Sequence, residues 1–361
     1  MSISTRTQEA IDLLSQLIET PSFSSEEAHS SALIEQWLTD RGVLTKRFHH
    51  NIYAVNRYED AAKPYLLLNS HHDTVRPNKA YTRDPFKASL EEGKLYGLGS
   101  NDAGGALVSL MSAFVHFYER KDLPYNLILA ASAEEETAGQ LSLSALLNEL
   151  PPIDLAIVGE PTLLQMAIAE KGLIVYDAVV SGTPSHAAHV NDDNAIMNAV
   201  EVLNWFKSLE FDRLSETLGA VKTTVTQISA GKQHNVVPAS VDLVVDVRVT
   251  DAYTNEEMDA FFTAHAPCTM KARSLRLRSS GIPKSHPLVA AGEGLGLNTY
   301  GSPTLSDQAA LSCPSIKIGP GDSLRSHSAD EFIFTQEIDA AIALYIDLLE
   351  RFFDQLNTSS S

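Results

Sequence analysis

The chain has 361 residues, a length that predicts two domains of ordinary size. It is 44% hydrophobic and 20% charged, which excludes an intrinsically disordered chain. Its 27 Lys and Arg stand against 46 Asp and Glu, a net charge of −19 that argues against nucleic acid as a partner, because phosphate recognition needs clustered positive charge. The two cysteines, Cys268 and Cys313, are too few for a disulfide framework or a four-thiolate zinc site, so a reducing, cytoplasmic setting is expected. No apolar run approaches the ~18 residues of a membrane span. The stretch from Met1 to Pro21 lacks the basic-then-apolar pattern of a secretory signal. The polar tail, Thr358 to Ser361, is expected to fray.

In chain order, Ile11, Leu14, Leu17 and Ile18 mark one face of a helix that Pro21 ends, and Ala32, Leu33, Trp37 and Leu38 mark a second helix. Four short apolar runs follow: Tyr65 to Leu68, Leu127 to Ala130, Ile153 to Val158, and Ile316 to Ile318. Continuous apolar runs predict strands buried on both faces of a mainly parallel sheet. Helical segments such as Ala106 to His116 lie between them, and Ile338 to Phe352 forms a last helix. The middle of the chain reads differently. Leu173 to Val180, Thr223 to Ile228 and Val241 to Val249 alternate apolar with polar residues, as one-sided antiparallel strands do, and Leu275 to Arg278 continues the pattern. The expected fold is a three-layer α/β/α domain with a mainly parallel sheet, formed by residues 1–172 and 283–361. An α+β domain with an antiparallel sheet is inserted at residues 173–282.

Polar residues gather where the predicted parallel strands end. The first strand runs into Ser70-His71-His72-Asp73, the second into Glu134-Glu135-Glu136, the third into Gly159-Glu160-Pro161, and the fourth leads through Gly319-Pro320-Gly321-Asp322 towards His327. Open α/β sheets bind ligands beyond the carboxyl ends of their strands, so these side chains should share one rim. Asp102 joins them from the glycine-rich segment Gly97 to Gly105. Imidazole nitrogens and carboxylate oxygens suit a pair of divalent ions, zinc first and cobalt or manganese as alternatives. An Asp such as Asp102, flanked by small residues, is the natural bridge between two ions. Each signal alone has a plainer reading: a lone surface histidine, or a solvated acidic run. A dinucleotide-binding oxidoreductase fits less well, because Asp102 stands where the third fingerprint glycine belongs.

Taken in order, the motifs resemble the di-zinc family of aminoacylase, acetylornithine deacetylase and succinyl-diaminopimelate desuccinylase over essentially the whole chain. The family's Gly-His-x-Asp stands here as Ser70-His71-His72-Asp73, and the first nine positions of Gly-x-Gly-x-x-Asp-x-x-Gly-Gly stand as Gly97 to Gly105. Asp-Glu-Glu stands as Glu134-Glu135-Glu136, Gly159 to Thr162 is intact, and a terminal histidine lies in Ser326-His327-Ser328-Ala329-Asp330-Glu331. The resemblance implies one metal site of His71 and Glu160, a second of Glu136 and His327, and Asp102 bridging them. It implies Glu135 as general base, with a one-residue shift to Glu134 as the alternative register, and Asp73 orienting His71. His72 is read as an incidental neighbour.

The inserted segment matches as well. Gly182-Thr183-Pro184-Ser185-His186 resembles the family's lid histidine, which reaches the other subunit of a homodimer and stabilises the oxyanion. Asn235, before Val236-Val237-Pro238, resembles a substrate-contacting Asn, and Arg248 resembles the arginine that pairs with the substrate carboxylate. The implied function is hydrolysis of an N-acyl amino acid, most closely N2-acetyl-L-ornithine in arginine biosynthesis. Succinylornithine, acetylcitrulline, succinyl-diaminopimelate and dipeptides are alternative substrates, and a catalytically silent homologue is the alternative of another class.

Overall fold

A computed structural model describes residues 4–359; Ser360 and Ser361, part of the tail expected to fray, lie outside the described residues. The chain divides into two compact units. The first contains the described residues through Ile168, then Gly281–Tyr300 and those from Ser306 onward; the second contains Ala169–Ser280 and Gly301–Leu305.

In the first unit the central sheet runs in the order Thr45–Phe48, Asn51–Val55, Asn126–Ser132, Tyr65–His71, Leu155–Val158 and Ser315–Lys317. Neighbours among the last four are parallel, and the Thr45–Val55 hairpin adds antiparallel strands at one edge. The continuous apolar runs have a direct cause. Leu66 and Leu68 join one core with Leu14, Val108, Phe114 and Leu349, whereas Leu67, Ile128 and Ala156 join another with Leu143 and Leu146. Each such side chain contributes about 1.5–3 kcal/mol on burial, so both faces of these strands must be apolar. The larger core lies under helices Thr5–Ile18, Gly105–Phe117 and Thr335–Ser359; the other face is covered by the short helix Leu143–Leu146 and a 3-10 turn at Asp307–Ala310. The last helix outruns the expected Ile338–Phe352 segment and continues through Thr358, whose hydroxyl donates to the carbonyls of Asp354 and Gln355. No helix among the described residues is long and apolar enough to cross a membrane.

In the second unit a four-stranded antiparallel sheet runs in the order Lys222–Ala230, Ser240–Val249, Gly172–Ser181, Thr269–Ala272. Helices Ala195–Ser208 and Asn255–His265 pack on its apolar face around Tyr176, Val245, Val202, Phe206 and Phe262. Leu275 to Arg278 is not a strand, despite its alternation. The segment keeps one bond of ladder type, Leu173 N–H to the Leu277 carbonyl at 2.9 Å, but the Asn255 amide also donates to the carbonyls of Leu275 and Leu277. Thr269–Ala272 is the strand that pairs with Gly172–Ser181 at this edge. Phe262 is fully buried, so Phe262→Ala is expected to lower the denaturant-measured stability of this unit by about 3–5 kcal/mol.

Candidate metal centre

Four parallel strands of the first unit deliver the polar residues that follow them. His71 ends its strand and is buried, with its Nδ1 at 3.0 Å from the Asp73 carbonyl and 3.4 Å from the Asp73 carboxylate. Its Nε2 faces Asp102 Oδ1 at 3.3 Å and Glu160 Oε1 at 3.8 Å. Asp73 does more than orient the imidazole. Its carboxylate also accepts from Ser24 Oγ at 2.6 Å and from the backbone N–H groups of Glu135 and Glu136 at 3.0 and 3.1 Å, so one side chain pins both histidine and acidic turn.

Asp102 lies on an irregular turn over Ser100–Gly104 that leads into the helix Gly105–Phe117. Gly99 enters that turn with φ +76°, and a Cβ there would meet Thr74 Cγ2 at 2.6 Å, so only glycine fits. Asp102 Oδ2 is 3.5 Å from His327 Nε2, which is in turn 3.0 Å from Glu136 Oε2. The two oxygens of Asp102 therefore face two different imidazoles, each with a glutamate of its own. Ligand atoms of His71, Asp102 and Glu136 all lie within 4.8 Å of one another, close enough to hold a metal ion.

The three consecutive glutamates are separated by the fold. Glu134, at φ +57°, accepts from Ser25 Oγ at 2.9 Å and from the Leu141 N–H at 3.0 Å. Glu136 faces His327, and Glu135 lies in the field of His71, Glu160 and Asp307. Burial raises the Glu135 carboxyl well above its usual range; nearby Glu160, Asp307 and Glu136 add to this, against His71. Glu160 is pushed up to about 8, by burial first and then by Asp102 among the groups that raise it. Burial is the largest influence on both His71 and Asp102, but several others together outweigh it. For His71 these are the hydrogen bonds to Asp102 and Asp73 and the nearby Glu135 and Glu160; for Asp102 they are the hydrogen bond and charge of His71, with Ser326 and His327. The imidazole is thus lifted well above its usual value and the carboxylate lies below its own. His327 is raised to about 9 by its hydrogen bond to Glu136. Crowded carboxylates with this donor chemistry fit a divalent cation, which turns their like-charge repulsion into shared attraction.

His72 has a structural task. Its buried ring meets Ser30 Oγ at 3.0 Å and the His50 carbonyl at 3.1 Å, and burial holds it down to about 4. The second unit brings His186 and Asn235 together: Ser185–His186 pairs with Val236–Val237, and the Asn235 carbonyl accepts from the Ala187 N–H at 3.0 Å. His186 is exposed. Arg248 is engaged locally, its Nε and Nη2 donating to the two oxygens of Asp246 at 2.9 and 3.0 Å.

Three buried polar residues around the centre had no role in the sequence reading. Asp307, which accepts from Ser132 Oγ at 2.5 Å and is raised to about 6 by burial, carries no motif of its own. Lys317, the last residue of the strand Ser315–Lys317, is buried between Ile316 and Ile318 and acts electrostatically on Glu160; a lysine between two isoleucines was a usable signal. Glu331 is buried, raised to about 8 by burial and then by Asp102, and stands four residues after His327.

Residues 67–351 match peptidase family M20/M25/M40. Over 95% of this chain and 96% of the relative, the sequence is 29% identical to an acetylornithine deacetylase of Proteus mirabilis. It is 24% identical to a succinyl-diaminopimelate desuccinylase of Ruegeria, over 96% of this chain and 97% of the relative. Among solved structures, the YXEP protein of Bacillus subtilis, described as a dinuclear metal binding peptidase from the M20 family, shares the fold with a TM-score of 0.72 at 14% identity, covering 97% of this chain and 99% of that one.

Proposed function

The chain belongs to peptidase family M20/M25/M40 and is a metal-dependent amide hydrolase, and from that premise we propose that it deacylates an N-acyl amino acid, converting N2-acetyl-L-ornithine to L-ornithine and acetate in arginine biosynthesis. The observation that carries the reading is Asp102, whose oxygens face His71 on one side and His327 on the other. We assign His71 and Glu160 to one ion, His327 and Glu136 to the second, and Asp102 to both. When bound, the two ions, taken as zinc with cobalt as a substitute, supply Lewis acidity toward the scissile carbonyl and toward a water.

The protein's own groups do the rest. Glu135 takes the proton of the attacking water and returns it to the leaving amine. Asp73 accepts from His71 Nδ1–H and fixes the tautomer that leaves Nε2 free to bind. His186 donates to the developing oxyanion, Asn235 contacts the substrate, and Arg248 pairs with its carboxylate. We further propose a cytoplasmic homodimer formed through the second unit, whose Lys222–Ala230 strand lies at a sheet edge and whose helix Ala195–Ser208 exposes Ile196, Met197 and Val200. Free Cys268 and Cys313 fit a reducing compartment.

For Arg248→Ala, a charge-assisted hydrogen bond of about 1.5–3 kcal/mol predicts a KM raised roughly 10- to 150-fold with kcat little changed. The matching check is a substrate whose carboxylate is replaced by a carboxamide: parent and variant should handle it alike. A second reading, succinyl-diaminopimelate desuccinylase, draws on the Ruegeria relative. One competition experiment separates the two. Zinc-loaded protein is given N-acetylornithine, N-succinylornithine, N-acetylcitrulline, N-succinyl-diaminopimelate and dipeptides together, with and without EDTA, and products are read by mass spectrometry. Selective, EDTA-sensitive loss of acetylornithine is expected. Cleavage of another substrate alone would overturn the choice of substrate, and no cleavage at all would favour a silent homologue.

A further inference from the structure

We propose that Glu331 is a positioning residue that holds Asp102 and His327 in register with each other, so that the His327–Glu136 half of the centre is prepared before an ion enters. The proposal rests on reading Asp102 and His327 as metal ligands. Glu331 is 2% exposed, and both of its carboxylate oxygens are occupied by backbone donors. Oε1 accepts from the N–H groups of Asn101 at 2.8 Å and Asp102 at 2.9 Å, and Oε2 accepts from the Gly99 N–H at 3.1 Å. The Glu331 carbonyl accepts from the Gly97 N–H at 2.9 Å. One residue thus anchors the whole approach to Asp102, in a turn too irregular to satisfy those donors itself.

The same residue is tied to His327 by four residues of chain. That segment is clamped from its other side: the Asp330 carboxylate accepts from the N–H groups of Thr82 and Arg83, each at 2.9 Å, and Asn78 Nδ2 donates to the His327 carbonyl at 3.1 Å. Just before His327, Ser326 Oγ accepts from Asn101 Nδ2 at 3.3 Å. His327 itself stands at φ +56°, a conformation that a β-carbon disfavours and that its surroundings must maintain. It therefore sits between two attachments, Ser326 and Glu331, and both end on the turn that carries Asp102. A carboxylate is the side chain this place requires. An amide at the same position has one acceptor oxygen, and its NH2 group would face the Gly99 N–H donor to donor.

The test compares Glu331→Gln and Glu331→Ala with the parent, and with Phe352→Ala, a fully buried position packed on Tyr125, His286 and Phe353 that takes no part in these bonds and reports on stability loss. Metal-free protein is titrated with Co2+ while the visible absorption spectrum is recorded; melting temperature, kcat and KM are measured in parallel. The parent should take up two Co2+ per chain. Glu331→Ala should bind one equivalent as the parent does and the other at least tenfold more weakly, with an altered spectrum for that ion. kcat should fall tenfold or more at nearly constant KM, and Glu331→Gln should lie between Ala and parent. Phe352→Ala should melt lower yet keep both equivalents and the parent spectrum. Two equivalents of unchanged affinity and spectrum in both Glu331 variants would overturn the positioning role while leaving the two-ion reading intact. Uptake of fewer than two ions by the parent would overturn that reading, and this proposal with it.

Discussion

Glu135→Ala will hydrolyse an amide substrate about 10²–10⁴-fold more slowly than the parent while retaining its full metal content. The expectation follows from where the three consecutive glutamates point. Glu136 is spent on His327, and Glu134 is spent on Ser25 and the Leu141 N–H. Glu135 remains, its backbone fixed by Asp73 and its carboxyl raised well above the usual range by burial first and by neighbouring acids second. A carboxyl raised in that way is matched to taking and returning a proton near neutral pH. The companion variant Glu134→Ala separates the roles. It should lose about 1.5–3 kcal/mol of stability with its charge-assisted hydrogen bonds and keep kcat within a few-fold. Steady-state rates with metal content measured on the same samples check both. Near-parent turnover in Glu135→Ala, or a collapse of kcat in Glu134→Ala, would move the base by one residue.

Asp102→Ala will cost more than the loss of either single-ion ligand. Its Oδ1 and Oδ2 lie 3.3 and 3.5 Å from His71 and His327, so removing one carboxylate opens both halves of the centre, whereas Glu136→Ala opens one. Bound ions supply several kcal/mol of transition-state stabilisation, and at 1.36 kcal/mol per decade that corresponds to a fall in kcat/KM of roughly 10³-fold or more. Ion binding also stabilises the fold by linkage, about 4.1 kcal/mol for a ligand at 1,000 times its dissociation constant. The parent's melting temperature should therefore rise on adding zinc and fall with EDTA, and Asp102→Ala should respond to neither. A zinc response of parent size in that variant would contradict the bridging role.

Much of this arrangement can be read along the chain because a parallel sheet imposes a simple relation between order and place. Leu66, Leu67 and Leu68 cannot alternate with polar residues when both faces of their strand are covered, so the apolar run marks the strand and its end marks the rim. His71, Glu136, Glu160 and His327 follow four such strand ends, and Asp102 follows glycines whose conformation admits no side chain. What local pattern cannot reveal is a contact made by one residue with backbone far away in sequence. Glu331 meets the Asp102 turn across more than two hundred residues, and Asp307 reaches Ser132 in the same manner. The alternation of Leu275 to Arg278 misleads for a related reason, since Thr269–Ala272 holds the sheet edge and a side-chain amide on a neighbouring helix meets two of the segment's carbonyls. Arg248, read as a partner for a substrate carboxylate, already holds a carboxylate two residues away, and substrate must compete with Asp246 for the same fork.

The most direct test of the account is an anomalous difference map from a crystal of the zinc-loaded protein, recorded at the zinc absorption edge. Two peaks about 3.5–4 Å apart are expected. One should lie between His71 and Glu160 and the other between His327 and Glu136, with the Asp102 carboxylate shared between them. A single peak, or two peaks with Asp102 outside both, would contradict it.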